Sequence, residues 1–164
     1  MAITVHGIYV DTYVRQLKQQ TWTGTGGLDH TLATWKWALY TDSLTPNFSA
    51  TSPSYSATNE VSGTGWAAGG VLLSVAAAGG TSVVPLLAEG TAGSIRYDWT
   101  NDMAVAGTTL TNAKGGILYA DPITAPYADP LVYLCNFGAN YSTVNGVFGI
   151  SPSATGFFEI DIVG

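Results

Sequence analysis

The sequence predicts a single all-β domain, a β-sandwich of jelly-roll-like type with about eight strands and a short N-terminal helix or arm. Three observations carry that expectation. Apolar residues alternate with period two through most of the chain, as half-buried strands require. Turn signals rich in Gly, Pro, Asn and Ser separate the runs at short intervals. Helical periodicity shows in one place only. At 164 residues the chain suits one domain and can bury a sizeable core without disulfides or metals.

Residues 1–20 read as an arm followed by a helix, and residues 21–164 as the sandwich. Over residues 10–19, Ile8, Tyr13, Val14 and Leu17 roughly follow the i, i+3, i+4 spacing. Asp11 or Thr12 is the expected cap, and Arg15 and Lys18 lie towards the C-terminal end, where positive charge is favourable. The β-branched residues leave an extended arm as the alternative. After Gly24-Thr25-Gly26-Gly27 the period changes to two. In residues 34–41, Trp35, Trp37 and Leu39 share one face, and Lys36 and Tyr40 share the other. The second face is expected to be wet or to touch a partner. Residues 42–59 form a long loop with Pro46 and Pro53, of a length that is usually functional or pinned by a partner. Further strands are expected at residues 70–77, 82–88, 94–99, 116–121, 131–137, 147–150 and 156–163. In the last, Phe158, Ile160 and Ile162 face one way and Phe157, Glu159, Asp161 and Val163 the other. Gly69-Gly70, Gly79-Gly80 and Gly115-Gly116 punctuate these runs. There is no internal repeat and no linker.

Composition narrows the function. Hydrophobic residues make up 46% of the chain, which excludes a disordered protein. Only 10% are charged, against roughly 25% in an average domain. A surface so poor in charge fits beneath a neighbouring subunit, because charges are depleted at interface cores. The net charge is −6, and Arg15, Lys18, Lys36, Arg96 and Lys114 form no run. Phosphate neutralisation needs clustered cations, so nucleic acid is not an expected partner. An anionic membrane surface is not one either. Cys135 is the single cysteine, which rules out an intramolecular disulfide; within the apolar run from Leu131 it reads as a small core residue. Residues 1–10 lack the charged start and apolar stretch of a secretory signal. The longest apolar run, around residues 71–78, falls far short of the ~20 residues that span a bilayer. Synthesis in the cytoplasm without classical export is the expectation.

Residues that could carry chemistry are sparse. His6 belongs to the arm, and His30 follows Asp29 in what reads as a solvated turn, so a Ser–His–Asp triad has weak support. Asp98, Asp102, Asp121, Asp129, Glu159 and Asp161 offer carboxylates; a facing pair could hydrolyse a glycoside, and Asp121 with Asp129 could help bind Ca²⁺. No D-x-D-x-D-G loop is present, and Asp121-Pro122 and Asp129-Pro130 read as turn initiators. Gly63-Thr64-Gly65 and the 24–27 run lack the Lys or helix that a phosphate cradle needs. No catalytic residue, metal or cofactor is assigned. The aromatic residues are the strongest remaining signal. Trp22, Trp35, Trp37, Trp66 and Trp99 cannot all face inward on a simple alternation, and the core is expected to claim three of the five. Aromatics outside a core mark protein interfaces or sugar-stacking platforms. Tyr55, Tyr127 and Tyr141 fall in expected loops and, with Tyr9 and Phe48, are the candidate partner contacts.

One stretch goes further. Trp35-Lys36-Trp37-Ala38-Leu39-Tyr40-Thr41, then Leu44-Thr45-Pro46-Asn47, Tyr55, and Thr58-Asn59-Glu60-Val61-Ser62-Gly63-Thr64-Gly65-Trp66-Ala67-Ala68-Gly69-Gly70 resemble a group of small virion proteins of tailed bacteriophages. That group shows an "I-K-V-A-L-x-T" strand, a "T-P" loop and "N-E-V-x-G-T-G-Y-x-x-G-G". Later it shows "A-V-I-Y-x-D" and "S-P-L-I-x-x-x-D-F-G", which resemble residues 116–121 and 129–138 here. The blocks run in the same order from residue 8 onward. This chain departs at Trp66, where Tyr is usual, at Asn136, where Asp is usual, and through residues 78–85. The resemblance implies a virion structural part and supplies no catalytic group. Asn59, Glu60, Gly63, Gly65, Trp66, Gly69 and Gly70 read as a structural turn, with Asn59 and Glu60 bonding turn amides and Trp66 held against the core. The leading expectation is a capsid decoration or minor capsid protein in the virion, bound to the major capsid protein and to copies of itself as a trimer. Residues 1–9 and 42–59 are the expected contacts. A minor tail or tail-tip component, a carbohydrate-binding module and an enzyme with paired carboxylates are the alternatives.

Overall fold

A computed structural model describes residues 2–24, 27–32, 34–74, 83–91, 93–154 and 156–161. The elements run β1 (Gly7–Ile8), α1 (Val10–Leu17), β2 (Thr23–Gly24), β3 (Lys36–Tyr40), β4 (Glu60–Val61), β5 (Val71–Leu72), β6 (Pro85–Glu89), β7 (Ser94–Trp99), β8 (Met103–Tyr119), β9 (Ile123–Ala125), β10 (Leu131–Ile150) and β11 (Phe158–Asp161). The fold is all-β with one short helix, and its strands lie in three antiparallel sheets. The largest has the order β1-β10-β8-β3-β4, with β5 also on β3; β11-β7-β6 and β2-β9 form the others. Rings from the first two sheets interlock: Trp37 on β3 meets Trp99 on β7, and Tyr133 on β10 meets Phe158 on β11.

The strand expected at residues 94–99 is β7, and residues 34–41 hold β3. The strands expected at 116–121, 131–137 and 147–150 are parts of two much longer ones, β8 and β10. The reason is a set of bulges. Between Asn136↔Gly115 and Tyr141↔Ala113, β10 advances further than β8; the next three shifts favour β8, β10 and β8 in turn. A residue at positive φ sits within each: Gly138, Asn112, Asn145 and Gly107. Gly and Asn tolerate that conformation, so they can hold the extra residue of a bulge without ending the ladder. The same residue types read as strand breaks in the sequence. Strand β5 is shorter than expected, and residues 75–77, Gly79, Gly80, Ser82, Ile162 and Val163 lie outside the described residues.

Strand β3 is buried on both sides. Trp35, Trp37 and Leu39 enter one apolar cluster, as their alternation predicts. Ala38 and Tyr40 enter a second cluster with Ile3, Tyr9, Ile117, Tyr119, Leu131 and Leu134. The face expected to be wet or to meet a partner is therefore covered by the chain itself. The cover comes from the N-terminal segment, through Ile3 and Tyr9, and from the long loop, through Leu44, Phe48 and Tyr55. The Leu131 N–H donates to Pro53 O and the Tyr55 N–H to Asp129 O, which fix the loop against β10 and its lead-in.

Helix α1 forms where expected, and Ile8 and Tyr13 pack against the core, but Val14 and Leu17 face outward. Tyr9 is its N-cap, without a side-chain capping bond; Asp11 and Thr12 lie inside the helix. Thr12 is buried, and its hydroxyl donates to Leu131 O at 2.7 Å. Asp11 instead takes hydrogen bonds from Arg15 Nε (2.7 Å) and the Ser52 N–H. Leu17, expected on the apolar face, is 82% exposed.

Two glycine substitutions separate close approach from backbone conformation. A Cβ on Gly116 would lie 1.9 Å from Trp37 Nε1, whereas one on Gly138 (φ +80°) would meet nothing within 4 Å. Urea denaturation is expected to show Gly116→Ala costing about 3 kcal/mol or more, and Gly138→Ala only about 1 kcal/mol, from the left-handed backbone.

Candidate functional site

The turn block at residues 59–70 is the most specific feature of the sequence, and the structure spends it internally. Glu60, at the start of β4, accepts a hydrogen bond from the Gly69 N–H (2.9 Å) on one carboxylate oxygen and from Tyr55 Oη (2.6 Å) on the other. Gly69 O accepts from Tyr119 Oη on β8. Tyr55 stacks on Tyr119 with ring centroids 4.7 Å apart, which closes the circuit. Burial and the bond to Glu60 push the Tyr55 hydroxyl up to about 12. Glu60 bonds a turn amide as expected. Asn59 does not: it takes φ +66°, and its side-chain amide donates to Ser43 O. Gly63 and Trp66 exchange backbone hydrogen bonds, and Thr64 bridges to Thr109 on β8, which brings Gly63 and Gly65 against Thr109 and Thr108. Trp66 is fully buried, and its Nε1 donates to Trp37 O at 3.2 Å. Gly70, at φ +74°, passes so close to Trp37 O that a Cβ would sit 2.5 Å from it.

The candidate contacts divide. Tyr9 is 3% exposed, packs on Phe48 and donates its N–H to Val132 O, so it is not a surface contact. Phe48 and Tyr55 are half-buried over the second cluster. Tyr127 is half-buried between Thr12, whose hydroxyl it meets at 2.9 Å, and the Trp22 ring. Tyr141 lies in β10, not in a loop, and is half exposed. Four of the five tryptophans, Trp35, Trp37, Trp66 and Trp99, are buried where three were expected. All four lie in the first apolar cluster.

His30 is buried, not in a solvated turn. Gln16 Nε2 donates to Leu28 O, so its Oε1 accepts from His30 Nε2–H at 2.8 Å. The ring lies against Tyr13, Trp35 and Tyr97. Among the described residues, His30 Nδ1, Tyr13 Oη and Tyr97 Oη are buried without hydrogen-bond partners. Burial pushes the His30 pKa down to about 4 against the opposing pull of Asp29.

Open clefts mark the surface, among them these three. The first, about 600 Å³, is lined by His6, Cys135, Tyr133, Phe157, Phe158 and Glu159 among others. Burial pushes the Cys135 thiol up to about 11, the opposite of what a nucleophilic cysteine needs. His6 Nδ1 accepts the Asn136 N–H, and Glu159 takes bonds from Thr91. The second, about 500 Å³, lies between the long loop and the floor made by Tyr9, Tyr40, Ile117 and Leu131; no charged residue lines it. The third, about 510 Å³, runs along β10 itself from Cys135 to Ile150 and ends at Ser151. Asp121 pairs with Lys36 at 3.2 Å, and Asp98 with Arg96 at 3.8 Å. Burial, then the nearby Asp121, raises the Asp129 pKa. Among the described residues no three of His, Cys, Asp and Glu gather as a metal site, and no helix is long and apolar enough to cross a membrane.

Comparison with family models, with curated proteins and with solved structures finds no match.

The circuit and the buried histidine each give a measurable consequence. In urea, Tyr55→Phe is expected to cost about 1 kcal/mol and Glu60→Ala about 2 kcal/mol, with the double variant falling short of their sum by about 1 kcal/mol. Strict additivity would contradict the circuit. His30 is neutral when folded and charged when unfolded between about pH 4 and its ordinary pKa of about 6.5. Its contribution is whole above that window and is lost as pH falls through it, by up to about 3 kcal/mol. Asp129, with a raised pKa, opposes that trend. Asp11 and Asp29, with lowered pKa values, act only below it. His30→Gln is expected to flatten stability between pH 6.5 and 4, read from urea midpoints across that range.

Proposed function

We propose that this chain is a virion structural protein of a tailed bacteriophage, a capsid decoration or minor capsid protein that stabilises the shell by packing against the major capsid protein and against copies of itself, in trimers. The proposal takes the two ring-joined sheets as the halves of a jelly-roll-like sandwich. The observation that carries it is the turn block at residues 59–70, which resembles the signature of that group of virion proteins and whose polar groups brace the fold. Glu60, Tyr55 and Tyr119 all point into one closed circuit, leaving that block with structural work alone. The low charge content and the uncharged, partly apolar outer strand agree with a surface meant to be covered. Nucleic acid and membrane are not proposed partners, and no cofactor is needed.

Ile3 and Tyr9 are buried and Phe48 and Tyr55 half-buried, so any contact by the arm and loop is made through their exposed residues. Carbohydrate binding loses four of its five tryptophan platforms to the core. A minor tail protein would share every feature above and differ only in where it sits.

The test is co-sedimentation with capsids that lack the protein. Saturable binding at a fixed ratio to the major capsid protein is expected. Protein that stays in the supernatant at every concentration would overturn the proposal.

A further inference from the structure

The chain contains a single Asn-Gly pair, Asn145-Gly146. It lies on β10 inside one of the bulges, with register shifts on both sides of Gly146. Asn145 takes φ +46° and is exposed to solvent. Its backbone N–H donates to Thr109 Oγ1 at 3.1 Å. Among the described residues no hydrogen bond holds its side-chain amide, which is left to turn towards the following peptide.

That pair carries a reaction of its own. The side-chain amide carbon of an asparagine is an electrophile, and the backbone nitrogen of the next residue is a nucleophile within its reach. Attack closes a ring, and a side chain on the next residue hinders it. Glycine has no side chain and leaves the backbone free to bring the two atoms together. The bulge adds to that freedom, because regular ladder pairing is disrupted there.

Other asparagines of the same fold lack one condition or another. Asn112 and Asn140 are also exposed on the ribbon of β8 and β10. Asn112 even shares the left-handed backbone, at φ +60°. Ala113 and Tyr141 follow them, however, and each sets a Cβ beside the attacking nitrogen. Three more are tied down: Asn47 Oδ1 accepts the Ser49 N–H, Asn136 Oδ1 accepts the Gly138 N–H, and Asn59 Nδ2 donates to Ser43 O.

We propose that Asn145 is a site of spontaneous deamidation, which turns this point of β10 from neutral to negative as the chain ages. The Gly146 nitrogen gives its proton to solvent and bonds to Asn145 Cγ. The Cγ–Nδ2 bond breaks, and the amide nitrogen takes a proton from solvent and leaves as ammonia. Water then opens the resulting succinimide at one of its two carbonyl carbons. Cleavage at Cγ gives aspartate; cleavage at the main-chain carbon gives isoaspartate, with the chain running through the former side chain. No electron is gained or lost. The product carboxylate is ionised at neutral pH and adds one negative charge to the net −6. Isoaspartate also lengthens the main chain by one carbon, at a place where the ladder already departs from regular pairing. The reaction needs no partner and belongs to the free chain, so it holds whether or not the chain assembles into a virion.

The full chain is incubated at mildly alkaline pH and physiological temperature and followed by intact mass and peptide mapping. A synthetic peptide of residues 141–149 and the variant Gly146→Ala are followed beside it. Gly146 is not in the left-handed region, and an added Cβ would meet nothing closer than 3.6 Å, so this variant keeps the fold. Loss of ammonia and gain of water raise the mass by about 1 Da, and the gain is expected at Asn145 as mixed aspartate and isoaspartate. Conversion there should be at least about tenfold faster than at Asn112 or Asn140, which is about 1.4 kcal/mol of barrier. Gly146→Ala should slow it by a similar factor. A folded chain that stays unconverted while the peptide converts overturns the proposal. So does conversion that Gly146→Ala leaves unchanged, or that runs as fast at Asn112 as at Asn145.

Discussion

The indole of Trp37 has to fit into a space that four other segments define. It lies against Gly116 on β8, where any side chain would collide with it. Its ring meets Trp99, Tyr133 and Phe157, which come from the small sheet, from β10 and from the segment before β11. Its carbonyl receives the Trp66 indole N–H and is the group that Gly70 must pass. The large sheet, the small sheet and the turn block therefore all take their positions from one residue at the centre of β3. Emptying such a site costs about 3–5 kcal/mol, a large part of the ~5–15 kcal/mol that holds a typical domain together.

The same strand explains why the surface differs from expectation. With Trp37 and Leu39 committed to one cluster, Ala38 and Tyr40 face the other way and need a cover of their own. The chain supplies it from its N-terminal segment and its long loop. Through Ile3, Tyr9, Leu44, Phe48 and Tyr55 these two segments take part in completing the monomer.

Much of the fold was legible in the residues. The alternation of Trp35, Trp37 and Leu39 gave the correct inward face of β3, and β7 fell where its pattern placed it. Within the Gly-rich block, Trp66 is fully buried. Three things were not legible, each for a physical reason. Gly107, Asn112, Gly138 and Asn145 look like strand ends because their tolerance of positive φ serves both a turn and a bulge. His30 looks like a turn residue because the groups that bury it, Tyr13, Trp35 and Tyr97, come from three distant segments. Helix α1 presents Leu17 outward and Thr12 inward because Thr12 can satisfy its hydroxyl on Leu131 O, an option that helical periodicity does not reveal.

The proposed function is tested most directly by a symmetry-resolved reconstruction of a virion assembled in its presence. Ordered density for this fold at repeating positions is the predicted result. Virions that lack the chain would contradict the account.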